Sequence, residues 1–244
     1  MKLYVIRHGQ TDYNAQRRFQ GQADIPLNKQ GESQVRRSGI LLSQLLSPSN
    51  AASLEPVRVI SSDLLRTRQS TDILCAELMQ ANIQMNGQVQ FDARLREFHC
   101  GLFENSTYDE FVYANPQIAA DYMEQYNQDS YATRYPGSGG ESRLDVMQRV
   151  GRVLLEIQQE TVVRNFIWVV HGGVIDVLLE LTHVQSPETK TDKISAGNGD
   201  LLIFKFSDKS KPVSSASLQL GHTRCWQLDR HYQIGDTTAA KVVK

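Results

Sequence analysis

Three short apolar runs, each rich in β-branched residues, constrain this chain more than any other feature: KLYVI (2–6), VRVI (57–60) and FIWVV (166–170). Runs this short and this apolar read as strands buried on both faces, as in a parallel sheet. Helical patterns separate them. Residues 31–46 place Val35, Ile40, Leu41, Leu42, Leu45 and Leu46 mostly on one face, and residues 63–79 carry Leu64, Leu65, Ile73, Leu74 and Leu78. Residues 141–160 space Leu144, Met147, Val150, Leu154 and Ile157 three or four apart, as an amphipathic helix does. Strands alternating with helices predict a three-layer α/β/α sandwich with a mostly parallel central sheet and right-handed crossovers. Near the end, LLIFKF (201–206) and SLQLG (217–221) flank a turn-rich segment and predict a hairpin, so at least one strand is antiparallel. TTAAKVVK (237–244) reads as a loose tail. With no internal repeat and no long linker, residues 1–244 read as one domain.

Charge and cysteine usage narrow the setting. A net charge of −1 supplies no general basic field for nucleic acid or membrane phosphates. Cys75, Cys100 and Cys225 are odd in number and form no C-x-x-C pair, which suits a reduced compartment. The first apolar run breaks at Arg7, too early for a signal peptide, and residues 166–181 are interrupted by His171, Asp176 and Glu180. The expectation is a cytoplasmic protein. Its oligomeric state is open, a homodimer included.

Residues 101–138 differ from the rest. They hold six of the nine tyrosines, and six acidic residues lie between Glu104 and Asp129. A mostly helical insertion over the active site, acting as a lid, fits this composition, and so do ordinary surface helices.

The chemistry gathers at the strand ends, where open α/β sheets bind ligands. The first run ends in Arg7-His8-Gly9 and the third in His171-Gly172-Gly173. After the second, SSDLLRT starts a helix that Ser61 or Ser62 would cap, with Arg66 one turn in and leaning back toward the strand ends. Two arginines and two histidines then share one small space. Such a group calls for an anion, and the guanidinium fork suits phosphate oxygens. The glycines permit close backbone approach, and a helix starting at Gly172 adds N–H donors at its N-terminus. A metal is the competing partner for paired histidines. Nearby guanidinium charge opposes it, and no H-x-x-x-H or cysteine spacing supports it.

These residues resemble the histidine phosphatase superfamily, also called the phosphoglycerate mutase-like family. RHGQTDYN resembles its signature R-H-G-[EQ]-[ST]-x-x-N, and QGQADIPLNKQG resembles the segment that follows. SSDLLRTRQST, LREFHCGLFEN, PGSGGES and VVHGGV resemble its later motifs, so the likeness runs from residue 2 to about 204. The resemblance implies that His8 is the nucleophile that becomes phosphorylated and that Arg7, Arg66 and His171 hold the phosphoryl oxygens. It implies Glu97 as general acid, with Asn14, Gln20 and Gly21 as secondary substrate contacts and Gly172 among the backbone donors. Glu141, Ser142 and Asn198 match further family positions, where a helix cap or a turn residue serves equally well. No metal or other cofactor is implied, because side chains supply the charge that phosphoryl transfer needs.

The chain departs from the family at two places. Phe98-His99-Cys100 follows the acid, leaving His99 as either a substrate contact or a structural residue. Phe103-Glu104-Asn105 stands where aromatic-Glu-Gly is common. Three functions fit the resemblance: a phosphomonoester hydrolase acting on a small phosphorylated metabolite, a phosphoglycerate mutase, and an inactive phospho-ligand or protein-binding module. Arg7, His8, Arg66, Glu97 and His171 are all present, which disfavours the module. The stretch from Glu97 to Thr133 has no Lys or Arg, which favours hydrolase over mutase.

Overall fold

The computed structural model describes residues 1–47, 56–182, 194–206 and 226–234, together with the paired backbone of 241–242. A mixed sheet runs through its centre. The strands are β1 (Lys2–Arg7), β2 (Val57–Ser61), β3 (Gln90–Phe91), β4 (Asn165–Val170), β5 (Leu201–Phe206), β6 (Trp226–Gln233) and β7 (Lys241–Val242). Their order across the sheet is β3-β2-β4-β1-β5-β6-β7. β1, β2 and β3 run parallel to their neighbours around β4, and β5, β6 and β7 are each antiparallel to the strand before them in that order.

Alternation along each strand sorts the core into two layers. Leu3, Val5, Phe166, Trp168, Leu202 and Phe204 pack with the helices α6 (Arg143–Gln158) and α7 (Gly172–Leu181). Tyr4, Ile6, Ile167, Val169, Leu201 and Ile203 pack against α2 (Lys29–Leu46) and α3 (Leu65–Gln80). A period of two feeding two helical layers is the expected three-layer sandwich. α2, α3 and α6 lie where the apolar spacing places them, within two residues at each end, and a single turn, α1 (Asp12–Ala15), precedes them.

Four local expectations are corrected or fall elsewhere. The second arm of the predicted hairpin, 217–221, lies outside the described residues, and β5 pairs instead with β6. The tail reading is overturned at Lys241–Val242, which pairs with β6 as β7. Neither Ser61 nor Ser62 caps α3: its N-cap is Leu64, and the Leu65 N–H donates to Asp24 Oδ1 at 2.9 Å. Cys75 and Cys100 are buried and unpaired, while Cys225 lies outside the described residues. Among the described residues no helix is long and apolar enough to cross a membrane.

Residues 101–138 form a 3₁₀ turn at Gly101–Phe103 followed by α4 (Tyr108–Ala114) and α5 (Pro116–Gln128). They fold around a small aromatic core of their own. Phe103 stacks on Phe111 with ring centroids 3.8 Å apart, and Tyr122 stacks on Tyr135 at 5.4 Å. Asn105 takes φ = 68°, a left-handed conformation that Asn adopts more readily than most residues. That conformation explains how the turn forms without the glycine common in the family at this position.

Candidate active site

Register brings the site together. Arg7 and Val170 are paired across β1 and β4, so His8 and His171 leave adjacent strands at the same level. The His8 N–H donates to Val170 O at 2.9 Å, and the two imidazole centroids are 5.2 Å apart. Gly9 follows because a side chain there would collide with the backbone of Gly31, in the first turn of α2. The strand therefore leads into a glycine, because the backbone must slip beneath the N-terminus of α2.

His8 is oriented by its own neighbour. Its Nδ1 lies 2.7 Å from Gly9 O, and because a carbonyl only accepts, Nδ1 carries the proton. The Nε2 lone pair is then available. Burial pushes the His8 pKa well below the usual 6.5, and the charges of Arg66 and Arg7 push it further. His171 is lowered in the same way, by burial first and then by Arg66 and His8. Its Nε2 is 2.8 Å from Ser62 Oγ, which gives Ser62 a role in place of the cap predicted for it.

Both arginines are anchored by backbone carbonyls. Arg7 Nη1 donates to Ala196 O at 2.5 Å. Arg66 donates from Nη1 to Ala23 O at 2.8 Å and from Nη2 to Gly21 O at 2.7 Å. Burial lowers the Arg66 pKa to about 10, which leaves it cationic at neutral pH. Arg7 Nε, Arg66 Nε and His171 Nδ1 are buried with no hydrogen-bond partner among the described residues. Unmatched buried nitrogens are rare in folded proteins, and here three belong to residues around one imidazole.

A cleft of about 330 Å³ opens over this floor. Arg7, His8, Asn14, Gln20, Gly21, Arg66 and Glu97 all line it. His171 lies fully buried beside His8, and Gly172 packs against the Arg7 guanidinium. Of these two glycines after His171, it is Gly173 that lines the cleft. Its N–H donates to Glu97 Oε2 at 3.1 Å, and the Phe98 N–H donates to Glu97 Oε1 at 3.0 Å. A Cβ on Gly173 would strike the Glu97 carboxylate, so only glycine allows this contact. Glu97 thus sits at the positive end of the α7 dipole.

The remaining expected positions separate into supports and bystanders. Asn198 Nδ2 donates to His8 O and to Asn14 Oδ1, both at 3.2 Å. Gln20 Oε1 accepts from Thr11 Oγ1 at 2.9 Å. Ser142 is the N-cap of α6 in a capping box with Asp145. Glu141 is not a cap: it lines the cleft and pairs with Arg149 at 2.8 Å. His99 does not line the cleft, and its Nδ1 accepts the Gly101 N–H at 3.1 Å, so its role is structural.

Two cleft arginines carried no recognisable signal. Arg18 and Arg143 both line it, each joined to a carboxylate: Arg18 to Glu110 at 2.5 Å and Arg143 to Glu180 at 2.6 Å. Tyr122, Tyr126 and Tyr135 form a wall contributed by residues 101–138. Among the described residues there is no group of three or more His, Cys, Asp or Glu side chains placed to hold a metal ion.

Two buried neutral imidazoles make stability depend on pH. Below about pH 6.5 the unfolded chain protonates these histidines and the folded protein does not. The stability is therefore fully present above pH 6.5 and declines as pH falls below it. The decline is about 1.4 kcal/mol per pH unit for each histidine. From pH 7.5 to 5.5 the pair costs about 3 kcal/mol, which lowers Tm by roughly 6–12 °C. Calorimetry across that range checks this, and a flat Tm would contradict it.

Comparison with known proteins agrees with the geometry. A family model described as "Histidine phosphatase superfamily (branch 1)" matches residues 3–217. A curated relative, "Probable phosphoglycerate mutase GpmB" of Salmonella paratyphi C (strain RKS4594), is 33% identical over 163 residues. That match covers 65% of each chain. Among solved structures, the mycobacterial glucosyl-3-phosphoglycerate phosphatase Rv2419c, in its complex with VO3, superposes with a TM-score of 0.65 at 26% identity. The superposition covers 93% of this chain and 96% of that one. A putative alpha-ribazole-5'-P phosphatase from Escherichia coli K-12 shares the fold with a TM-score of 0.65 at 21% identity, over 86% of this chain and 92% of its own. The relatives are named as phosphatases and as a mutase, and the chain belongs to the histidine phosphatase superfamily.

Proposed function

We propose that the protein is a phosphomonoester hydrolase that works through a phosphohistidine on His8. The observation that carries this reading is the state of His8: neutral, with its Nδ1 proton spent on Gly9 O. Its Nε2 lone pair attacks phosphorus while the bond to the ester oxygen breaks. Arg7 and Arg66 hold the non-bridging oxygens, where charge builds during transfer. Glu97 passes a proton to the departing alkoxide. The resulting carboxylate then takes a proton from water as that water attacks the phosphohistidine, and phosphate leaves. Side-chain charge supplies what a metal would otherwise provide, so the reaction is metal-independent.

Hydrolysis is preferred to mutase chemistry because of the cleft wall. A mutase must hold a second anionic group and keep water out. No Lys or Arg lies between Glu97 and Thr133, and Arg18 and Arg143 at the rim are already paired with Glu110 and Glu180. The phosphatase name of the mycobacterial structure supports hydrolysis, and the name of the GpmB relative supports the mutase reading. Assays of EDTA-treated protein against a panel of phosphate esters test the proposal. The expected result is phosphate release that survives chelation. Complete loss restored by a divalent ion would sink the metal-free site, and interconversion of 2- and 3-phosphoglycerate outpacing phosphate release would make the protein a mutase.

A further inference from the structure

One guanidinium outside the phosphate site is used to its full capacity. Arg149, on α6, donates from Nε to Glu141 Oε1 at 2.8 Å and from Nη2 to Glu141 Oε2 at 2.9 Å. Its Nη1 donates to Arg94 O at 2.8 Å and Arg96 O at 2.6 Å, and its Nη2 also donates to Glu97 O at 3.0 Å. All five of its N–H groups are therefore engaged. Glu141 Oε2 in turn accepts the His99 N–H at 2.9 Å. The backbone on both sides of Glu97 is gripped by this one pair: three carbonyls at 94, 96 and 97, and one amide at 99.

The gripped segment needs such a device. After the 3₁₀ turn at Ala93–Leu95 the chain from 96 to 100 has no regular structure of its own. α6, by contrast, is anchored by Val146, Met147, Val150 and Val153, all essentially fully buried. Arg149 and Glu141 are themselves shielded, with side chains 15% and 17% exposed. The pair therefore transmits the rigidity of the core helix to the loop that carries Glu97. Gln22 Nε2 adds a lighter contact, donating to Glu97 O at 3.1 Å.

We infer that Arg149, held by Glu141, is a positioning residue that sets the Glu97 carboxylate against His8 and the start of α7. The inference rests on the reading of Glu97 as proton donor. Arg149 does not line the cleft and touches no reacting atom. Its effect acts through geometry, where a displacement of about 1 Å costs on the order of 10²-fold in rate.

Lysine keeps the charge but lacks the planar fork, so Arg149→Lys cannot span carboxylate and carbonyls together. The test measures kcat and KM for an alkyl phosphate and for p-nitrophenyl phosphate in four proteins: wild type, Arg149→Lys, Glu97→Ala and the double variant. Arg149→Lys is expected to lower kcat/KM, which reports the first chemical step, for the alkyl ester by about 10- to 100-fold. kcat/KM for the nitrophenyl ester, which reports the same first step without need of a leaving-group proton, should change by only a few-fold. In the Glu97→Ala background the same substitution should add almost nothing, because the group it positions is gone. An equal loss for both esters, or a full additional loss in the double variant, would overturn the inference and leave Arg149 as a plain structural staple. If Glu97→Ala alone does not discriminate between the esters, the proton-donor reading itself fails, and the inference with it. Glu141→Gln, nearly isosteric, provides a second arm should Arg149→Lys fail to fold. It weakens the grip on Arg149 and is expected to give the same ester-selective loss, smaller in size, while equal losses would count against the inference.

Discussion

His8→Ala is expected to lower turnover by at least about 10⁴-fold, the scale on which enzymes lose activity when a nucleophile is removed. The loss should be equally severe for an alkyl phosphate and for p-nitrophenyl phosphate, since both need the nucleophile. His171 is not expected to stand in for it, because its Nε2 is engaged with Ser62 Oγ and its ring does not line the cleft. The variant should remain folded, because His8 follows the last residue of β1 and the strand keeps its apolar contacts. It should also be less sensitive to acid. One of the two buried imidazoles is gone, so the fall in Tm between pH 7.5 and 5.5 should be about half that of the wild type. Steady-state assays and calorimetry on the same preparation check both parts. Near-normal turnover would remove His8 from the mechanism.

Glu97→Ala should behave differently, because its importance depends on the leaving group. An alkoxide needs a proton as it departs, whereas a nitrophenolate leaves without one. General acid catalysis contributes about 10²–10⁴-fold, and that loss should appear with the alkyl ester. With p-nitrophenyl phosphate the loss in the first step should be under about 10-fold, being the part of the effect that does not involve the leaving-group proton. Dephosphorylation of the phosphohistidine should slow for both esters, because the attacking water loses its base. Pre-steady-state kinetics separate the two steps. Equal losses in the first step would point to a different acid, and the structure narrows the choice. Neither Glu104 nor His99 lines the cleft. Asp176, which lines the cleft from α7, is then the next candidate.

The central layers and the floor of the cleft are readable in the sequence because their signals are local. KLYVI, VRVI and FIWVV needed no partner to be recognised as buried strands, and the residues just beyond two of them form the floor of the site. Arg66 was readable for the same reason, since one helical turn sets its direction. What escaped depends on contacts between distant parts of the chain. β6, in WQLDRHYQ, places Asp229 and Arg230 in the middle of a strand, and its identity comes from pairing with β5. The first N–H of α3, that of Leu65, is satisfied by Asp24, 41 residues away. Arg149 falls among apolar residues of α6 and looks like an ordinary helix position. Its function appears only once the carbonyls of 94, 96 and 97 are seen in front of it. The absence of basic residues in 97–133 was correctly read, but Arg18 and Arg143 still reach the cleft from outside that stretch.

Direct trapping of the phosphorylated enzyme tests the central claim. Wild-type protein mixed with a substrate that reacts rapidly is quenched in alkaline denaturant, digested and mapped by mass spectrometry. One phosphoryl group is expected on the peptide that contains His8, lost on brief exposure to acid as a phosphoramidate is, and missing in His8→Ala. An acid-stable phosphoryl group on any other residue, appearing and decaying at the rate of turnover, would contradict the account.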